Sequence, residues 1–334
     1  MQRNITIDIL KALGIMLLII GHTTFGLCQQ YIMSFLLPMF FILSGFLYKE
    51  RDVISSVYHD FKRLLLPYCL FFVFVSTLDY IHYGISIRRI YQNILQILWG
   101  SVIRINVLGH YVQGVGYLWF LPTLFICKNL FNIIYKGCEK FNLKLFVLFT
   151  CVIICVCSGV YIHHNFFPLP FAITTGMNAL GYYTLGFFAK IAKSDINTID
   201  NLKWYVKWGI VIIWLAFGKS ALNGMGTCEY SFVLFDYLIG ITGTMICFYL
   251  ANIIRLKISI LGNFLAIYGQ YTVSILIIHQ FIMKCAYIAG VENKNILLLI
   301  LNLIISVLYV IVDYFVLKKC NLTLCGKFNK RIKN

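Results

Sequence analysis

The chain has 334 residues, of which 60% are hydrophobic and only 12% are charged, and its mean hydropathy is +0.84. This composition excludes an ordinary soluble domain and predicts a membrane protein. Arg3 precedes an apolar run, as in a signal peptide, but Asp8 and Lys11 interrupt the run and no A-x-A-like cleavage site follows. The first segment is therefore predicted to be a retained helix.

Apolar segments of roughly 17–25 residues, the length needed to cross about 30 Å of hydrocarbon, recur along the chain. About ten can be placed, and they predict an all-α, polytopic integral membrane helical bundle that forms one domain over residues 1–334. Their approximate cores are residues 7–26, 31–48, 64–83, 117–135, 145–162, 171–190, 205–221, 230–250, 264–288 and 295–317. Residues 88–116 are only partly apolar, since three arginines and four glycines interrupt them. This stretch could be an interfacial helix or a re-entrant segment rather than a span.

The positively charged residues indicate the orientation of the chain. With a cytoplasmic N-terminus, most of the 28 Lys and Arg residues fall in inner segments, including a basic tail over residues 318–334. The positive-inside rule therefore predicts that both termini are cytoplasmic. This topology, with contact to anionic membrane lipids, accounts for the formal net charge of +16. Because the basic residues form no single patch, a nucleic-acid partner is not expected.

The twelve cysteines give no indication of a metal site. Most of them lie within apolar spans, where cysteine behaves as a small apolar residue. Cys320 and Cys325 fall in the tail, on the reducing side of the membrane in this topology. No C-x-x-C or mixed Cys/His spacing suggests zinc, so no metal is expected.

Three ionisable residues lie inside the first apolar run. The eleven residues from Lys11 to His22 make about three helical turns, so both side chains share one face, about 16 Å apart along the axis. Asp8 stands at the i, i+3 spacing from Lys11 that allows an ion pair. Ionisable groups at membrane depth usually face the bundle interior and mark a functional path. Alternatively, Asp8 and Lys11 extend to the inner interface and His22 is a hydrogen-bonded polar residue near the outer end.

The first apolar run opens a series of short motifs. They are "DILKALGIMLLIIGH" in that run, "FLLPMFFILSGFLYK" at 35–49, "FKRLLLPY" at 61–68, "YLWFLPTLF" at 117–125, "YYTLGFFAK" at 182–190 and "YTVSILIIHQFI" at 271–282. In this order and combination, the motifs resemble the membrane acyltransferase 3 family, including its fucose-4-O-acetylase-like branch. The resemblance extends from about residue 3 to about residue 316.

This resemblance implies an activity and a location. The family transfers an acyl group, most often acetyl, from acyl-CoA to a sugar hydroxyl of a surface polysaccharide or its lipid-linked precursor, at the bacterial cytoplasmic (inner) membrane. The family's first helix carries a basic residue, usually Arg, separated by ten residues from a catalytic histidine, which correspond here to Lys11 and His22. Lys11 departs from the commoner arginine, and Leu36 stands where the fucose-acetylase-like branch often has histidine. The acyl group and the acceptor sugar stay open.

The resemblance also implies roles for individual residues. His22 is the expected general base for the sugar hydroxyl, since imidazole titrates close to neutral pH, and a covalent acyl-histidine is the second possibility. Asp8 would orient Lys11. Lys11 would hold the CoA end of the donor, because its ammonium group binds phosphate as a point charge. Lys62 and Arg63, at the inner end of the third span, are candidates for the CoA phosphates. Ordinary positive-inside anchoring is the alternative for this pair.

Four more residues are candidates for substrate binding. Ser44, in the segment "LSGF", could line the pore or permit close helix packing. Trp119 and Phe120 could stack on a sugar ring or belong to an interfacial aromatic belt. His279 could contact the acceptor, support another site residue, or be a satisfied interior histidine.

Several other ionisable residues receive no role from the sequence. Asp236 and Asp313 are predicted to be buried, and structural pairing and substrate contact are both open for them. His110, His163 and His164 are predicted to lie in outer loops in contact with solvent.

Other classes of membrane protein stay open at this point. The main alternative is a multi-spanning glycan flippase or transporter, which would more often show repeated halves with paired broken helices. No such repeat is visible in the sequence. A polysaccharide polymerase would be expected to have a large outer loop rich in arginine and acidic residues, whereas the longest outer stretch, 84–116, is only modestly basic. A non-enzymatic sensor of acyl ligands on the same fold is a third alternative.

Overall fold

The computed structural model of the chain describes residues 4–24, 26–107, 110–166, 168–192, 202–222, 224–292 and 295–317. The predicted basic tail, residues 318–334, lies outside the described residues, and so do its two cysteines. Residues 193–201, which belong to the predicted inner loop after the span 171–190, lie outside them as well. Within the described ranges the chain is mainly helical.

The helices follow one another along the chain with mostly short connections. The α-helices are α1 (Ile5–Thr23), α2 (Gly26–Phe46), α3 (Val53–Asp60), α4 (Leu66–Tyr83), α5 (Ile87–Trp99), α6 (Phe120–Cys138), α7 (Lys144–Asn165), α8 (Ile173–Ile191), α9 (Trp204–Phe217), α10 (Val233–Lys257), α11 (Ser259–Tyr268), α12 (Thr272–Ile288) and α13 (Ile296–Val312). The 3₁₀ segments are Gly116–Trp119, Pro170–Ala172, Gly218–Ser220 and Gly269–Tyr271, and the π segments are Phe61–Leu65 and Asp313–Leu317. Strands β1 (Ile105–Val107) and β2 (His110–Val112) form an antiparallel hairpin.

Eight of the described helical segments are long and apolar enough to cross a membrane. They are Ile5–Thr23, Gly26–Phe46, Val53–Tyr83, Gly116–Cys138, Lys144–Asn165, Val233–Lys257, Ser259–Ile288 and Ile296–Phe315. Many large apolar side chains on these helices are exposed, which suits contact with lipid rather than with water. The predicted class, an all-α polytopic membrane protein, is confirmed.

The other two predicted spans, 171–190 and 205–221, do not meet the same test of length and hydropathy. The first is α8, which has 19 residues, but its Thr, Asn, Gly and Tyr residues lower the hydropathy and are mostly buried inside the bundle. The second is α9, which has 14 residues and no buried residue. At 1.5 Å per residue α9 is about 21 Å long, against about 30 Å of hydrocarbon. Of the ten predicted spans, eight thus meet this test of length and composition within the described residues.

The weakly apolar stretch 88–116 contains α5 and the β-hairpin. α5 has 13 residues, so it is about 20 Å long and too short to cross the membrane alone. It is amphipathic, has no buried residue, and ends at Gly100, whose φ of +61° is a left-handed conformation that favours glycine. These features favour the interfacial helix among the predicted alternatives.

Close helix packing positions α8 and α1. α8 packs against α2, α6 and α7. A Cβ atom at Gly45 of α2 would lie 1.8 Å from the carbonyl oxygen of Tyr183 in α8, so the two backbones can approach only because this residue is glycine. α1 packs against α2, α10, α11, α12 and α13, which brings the polar residues of α1 into the bundle.

The loop between α9 and α10 folds back onto α8. The hydroxyl of Tyr230 donates a 2.7 Å hydrogen bond to Oδ1 of Asn178, and Nδ2 of Asn178 donates to the carbonyl oxygen of Met225 at 3.2 Å. Met225 and Cys228, which belong to this loop, are themselves buried. The loop therefore belongs to the packed structure of the bundle.

In intact cells, we expect a membrane-impermeant maleimide to modify Cys28 and to leave Cys228 unmodified. Both residues lie on the outer side of the membrane in the predicted orientation, and Cys28 is exposed. Burial raises the pKa of the Cys228 thiol to about 12, so little of the reactive thiolate forms at neutral pH. Peptide mass spectrometry measures the labelling, and denatured protein, in which both react, is the control. Labelling of Cys320 and Cys325 without labelling of Cys28 would show that the orientation of the chain in the membrane is the reverse of the predicted one.

Candidate active site

The C-terminal turn of α1 places His22 against the interior of the bundle. α1 begins after Asn4, whose side-chain oxygen accepts hydrogen bonds from backbone N–H groups of the first turn. At the other end, the hydroxyls of Thr23 and Thr24 donate to carbonyl oxygens one turn earlier, at 2.7 and 2.8 Å. The helix end is thus satisfied without the imidazole of His22, which is half-buried.

Three aromatic rings from distant segments meet at this position. The ring centroids of His22 and Tyr117 are 3.8 Å apart, and those of Tyr117 and His279 are 5.0 Å apart. The centroids of His22 and His279 are 5.5 Å apart, with an angle of 21° between the ring planes. We call these three residues the ring cluster. It joins α1, the 3₁₀ segment before α6, and α12.

His279 is anchored by an asparagine from α13. Its Nδ1 lies 2.9 Å from Oδ1 of Asn302. Nδ2 of Asn302 donates to the carbonyl oxygen of Leu298 at 2.8 Å. His279 and Asn302 are each only 1% exposed. Within the described part of the chain, Nε2 of His279 is buried without a hydrogen-bond partner.

Gln280 fixes the position of Tyr117. The backbone N–H of Tyr117 donates to Oε1 of Gln280 at 2.8 Å. The preceding residue, Gly116, has φ of +62°, and a Cβ atom there would lie 2.8 Å from Nε2 of Gln280. Glycine is therefore required at this turn, both for its backbone conformation and for space. Gln280, adjacent to His279 in α12, thus fixes the position of Tyr117 beside that histidine.

Asp8 and Lys11 form the ion pair that their spacing allows, with 3.5 Å between Nζ of Lys11 and Oδ1 of Asp8. The Asp8 side chain is 7% exposed and that of Lys11 is 29% exposed. Gly269 packs directly against this turn, since a Cβ atom there would lie 1.8 Å from the carbonyl oxygen of Asp8. The pair shares α1 with His22 but lies about three turns away, outside the ring cluster.

Lys62 and Arg63 occupy the π segment between α3 and α4, and both are exposed. Nζ of Lys62 lies 4.2 Å from the centre of the Tyr58 ring, at a cation–π distance. The structure thus leaves both cations accessible to a ligand but does not bring them to the ring cluster.

The three remaining candidates for substrate binding have structural contacts of their own. The hydroxyl of Ser44 donates to the carbonyl oxygen of Phe40 at 2.8 Å, within the same helix. Trp119 is buried beside the loop between α9 and α10, where a Cβ atom at Gly226 would lie 3.2 Å from its ring. Phe120 packs edge-on against Phe40 and Phe41. The aromatic residue of this segment that joins the histidines is Tyr117.

A buried carboxylate at the end of α3 was missed in the sequence. Oδ1 of Asp60 lies 2.6 Å from Nζ of Lys128 and 3.1 Å from Nδ1 of His59. The Asp60 side chain is only 2% exposed. Arg51 and Arg63 are close enough to interact electrostatically with Lys128 and His59. The signal that could have found this centre is the lone Lys128 within an apolar span, which needs a partner.

Other ionisable residues have structural partners. Oδ2 of Asp236 accepts a 2.7 Å hydrogen bond from the backbone N–H of Ser231, and Asp313 hydrogen-bonds the side chain of Tyr271. His163 and His164 lie in the last turn of α7 rather than in a loop, and His163 is half-buried. The predicted loop position is therefore wrong for both residues, because α7 extends further than expected.

Among the residues that the structure describes, no group of three or more His, Cys, Asp or Glu side chains could hold a metal ion. The chemistry available at the ring cluster is that of imidazole nitrogens and a phenol in a mostly apolar bundle. Such groups can accept, donate and hold protons at fixed positions.

The fold and the ring cluster define a polytopic membrane protein with two imidazoles and a phenol brought together inside its helical bundle. A family model described as an acyltransferase domain, that of the acyltransferase 3 family, matches residues 4–315. The chain therefore belongs to the acyltransferase 3 family and is a multi-pass membrane O-acyltransferase. Comparison with curated proteins and with solved structures gave no match.

Proposed function

We propose that the protein transfers an acyl group from cytoplasmic acyl-CoA to a sugar hydroxyl of a surface polysaccharide or its lipid-linked precursor. The acyl group that we propose is acetyl. The observation that carries this proposal is the ring cluster, in which the centroids of two imidazole rings lie 5.5 Å apart inside the bundle. No hydrogen bond in the described structure occupies the ring nitrogens of His22. This histidine is thus available as the general base.

The reaction needs one proton transfer on each side of the acyl carbon. His22 takes the proton of the sugar hydroxyl while the oxygen attacks the carbonyl carbon of the thioester. An ester C–O bond forms, the C–S bond breaks, and the sulfur leaves as the thiolate of CoA. The proton on His22 then neutralises that thiolate. Tyr117, packed 3.8 Å from His22 between ring centroids, keeps the imidazole in one orientation.

The donor would bind at the opposite end of α1. Lys11, oriented by Asp8, supplies a cation inside the bundle, and the exposed Lys62 and Arg63 supply two more near the proposed cytoplasmic face. CoA carries several phosphate charges, so these cations suit its binding. His22 lies about 16 Å further along α1, which suits a donor whose thioester is at the end of a long arm. The acyl group would then meet the acceptor towards the outer leaflet.

The acceptor is proposed from the resemblance of the motifs to the fucose-4-O-acetylase-like branch. A sugar in a glycan of the cell envelope, esterified at the bacterial inner membrane, fits that resemblance. Leu36, where the branch often has histidine, is buried in the bundle core, and its hydrocarbon side chain supplies no hydrogen-bonding or titratable group there. The exact sugar is therefore to be identified from the product. Among the candidates for substrate binding, Ser44, Trp119 and Phe120 make structural contacts within the protein. His279 is the candidate that we propose to contact the acceptor.

The test compares surface glycan from cells that express the wild-type protein, His22→Ala or an empty vector, at matched membrane expression. NMR and mass spectrometry measure base-labile O-acyl groups, and the mass of the ester identifies the acyl group. We expect ester with the wild-type protein alone. Equal ester in wild type and His22→Ala would contradict the role of His22. A surface glycan without ester, at full membrane expression of the wild-type protein, would contradict the proposed acceptor.

A further inference from the structure

We propose that Asn302 is a positioning residue that fixes the tautomer of His279, and that Nε2 of His279 thereby binds a second hydroxyl of the acyl acceptor. The first part depends only on the contacts of His279. The second part rests on the proposed function, in which His22 takes the proton of the reacting hydroxyl. The two parts are tested by separate measurements.

The hydrogen bonds of Asn302 determine where the proton of His279 lies. The amide group of Asn302 donates to the carbonyl oxygen of Leu298 at 2.8 Å, and so its oxygen faces His279. That oxygen can only accept, so Nδ1 of His279, 2.9 Å away, must carry the hydrogen. A neutral imidazole has one N–H, and Nε2 is therefore a bare acceptor.

This acceptor is left for a ligand. Nε2 of His279 is buried and has no partner within the described residues, and a buried acceptor without a donor is unfavourable. The rings of His279 and His22 are nearly parallel, with centroids 5.5 Å apart. A group that donates to Nε2 of His279 would thus lie beside the group that donates to His22.

A single hydroxyl cannot satisfy both histidines, because it has only one hydrogen. If His22 takes the hydrogen of the reacting hydroxyl, the donor to His279 must be another hydroxyl. Both hydroxyls can belong to one molecule, since the centroids of the two rings are only 5.5 Å apart. The geometry thus points to an acceptor with adjacent hydroxyl groups, such as the vicinal diol of a sugar ring, in which one hydroxyl is acylated and the other orients the molecule.

Nitrogen NMR on the full-length protein tests the tautomer directly. The protein is labelled with ¹⁵N-histidine and reconstituted in lipid nanodiscs, and the signal of His279 among the seven histidines is assigned by its loss in His279→Gln. We expect a protonated Nδ1 and a bare Nε2 in the wild-type protein. In Asn302→Leu, the hydrogen should move to Nε2 or be shared between the nitrogens. A protonated Nε2 in the wild type, or an unchanged spectrum in Asn302→Leu, would overturn the assignment.

The ester assay tests the binding of the second hydroxyl. Asn302→Leu should lower the ester on surface glycan by about tenfold or more, because Nε2 no longer accepts reliably. Ser306→Ala is the matched control: Ser306 is equally buried one turn along α13, and its hydroxyl lies 2.7 Å from that of Tyr268, outside the ring cluster. It should retain ester within about twofold. Full ester in Asn302→Leu would refute the role in acceptor binding.

A double variant separates positioning from general damage to the fold. If Asn302 acts through His279, then His279→Gln with Asn302→Leu should produce the same ester level as His279→Gln alone, within about twofold. A further loss in the double variant would show that Asn302 acts independently and would overturn the proposal. The NMR result needs no acyl transfer, so it can be read even if His22→Ala retains full ester and the proposed function fails.

Discussion

Replacing His22 with glutamine is expected to lower the rate of acyl transfer by about 100- to 10,000-fold, the usual contribution of a general base. Glutamine retains polarity and approximate size but cannot take up a proton. The KM for acetyl-CoA should change by less than about threefold, because the donor cations lie on other turns and segments. The rate is measured with radiolabelled acetyl-CoA and glycan from the producing cells, using protein in nanodiscs.

The matched control for this variant is His163→Gln. His163 is also half-buried at the end of a helix, and its Nδ1 lies 3.4 Å from the hydroxyl oxygen of Thr174, but it is outside the ring cluster. This control should keep the rate within about twofold. A similar rate in His22→Gln and His163→Gln would mean that another group removes the proton.

Replacing Asp60 with asparagine is expected to lower the free energy of unfolding by about 3–5 kcal/mol. Asp60 is buried and lies 2.6 Å from Nζ of Lys128, so the variant leaves a cation in the bundle without its counter-ion. Chemical denaturation of the detergent-solubilised protein measures the effect. The double variant with Lys128→Met removes both charges and should recover most of the loss.

An exposed ion pair provides the control for Asp60. Glu50 pairs with Lys136, two turns after Lys128 in α6, and the Glu50 side chain is 51% exposed. The salt bridge lowers the pKa of Glu50, but solvent screens the interaction, so Glu50→Gln should change stability very little. If Glu50→Gln destabilised the protein as much as Asp60→Asn, burial could not be the reason for the importance of Asp60.

The membrane class could be predicted because lipid places one strong demand on sequence, namely long apolar helices. The same rule explains where the prediction was less accurate. α8 carries Thr, Asn, Gly and Tyr residues because its surroundings are other helices rather than lipid, and tertiary packing is not visible in hydropathy. α9 is shorter than its apolar segment, since the chain turns into the 3₁₀ segment Gly218–Ser220.

The candidate site was predictable residue by residue but not as an arrangement. His22 and His279 were singled out separately, and their contact depends on how α1 packs against α12. Tyr117 was passed over in favour of Trp119, because the sequence does not show which ring meets the histidines, and this depends on the turn at Gly116, whose φ is +62°. Asn302 is a polar residue in an apolar helix. Its partner, His279, lies in another helix and could not be inferred from spacing along the sequence.

The ring cluster also has a consequence for how the chain is made. α1 is synthesised before α12 and α13, so its residues Asp8, Lys11 and His22 exist before the partners that the later helices supply. During that interval the nascent helix cannot contact His279, which is translated later. Asp8 and Lys11 can neutralise each other within one turn of α1, so the early helix carries its own counter-ion. The ring cluster is therefore completed only when α12 is inserted, and a chain that terminates before α12 cannot form it.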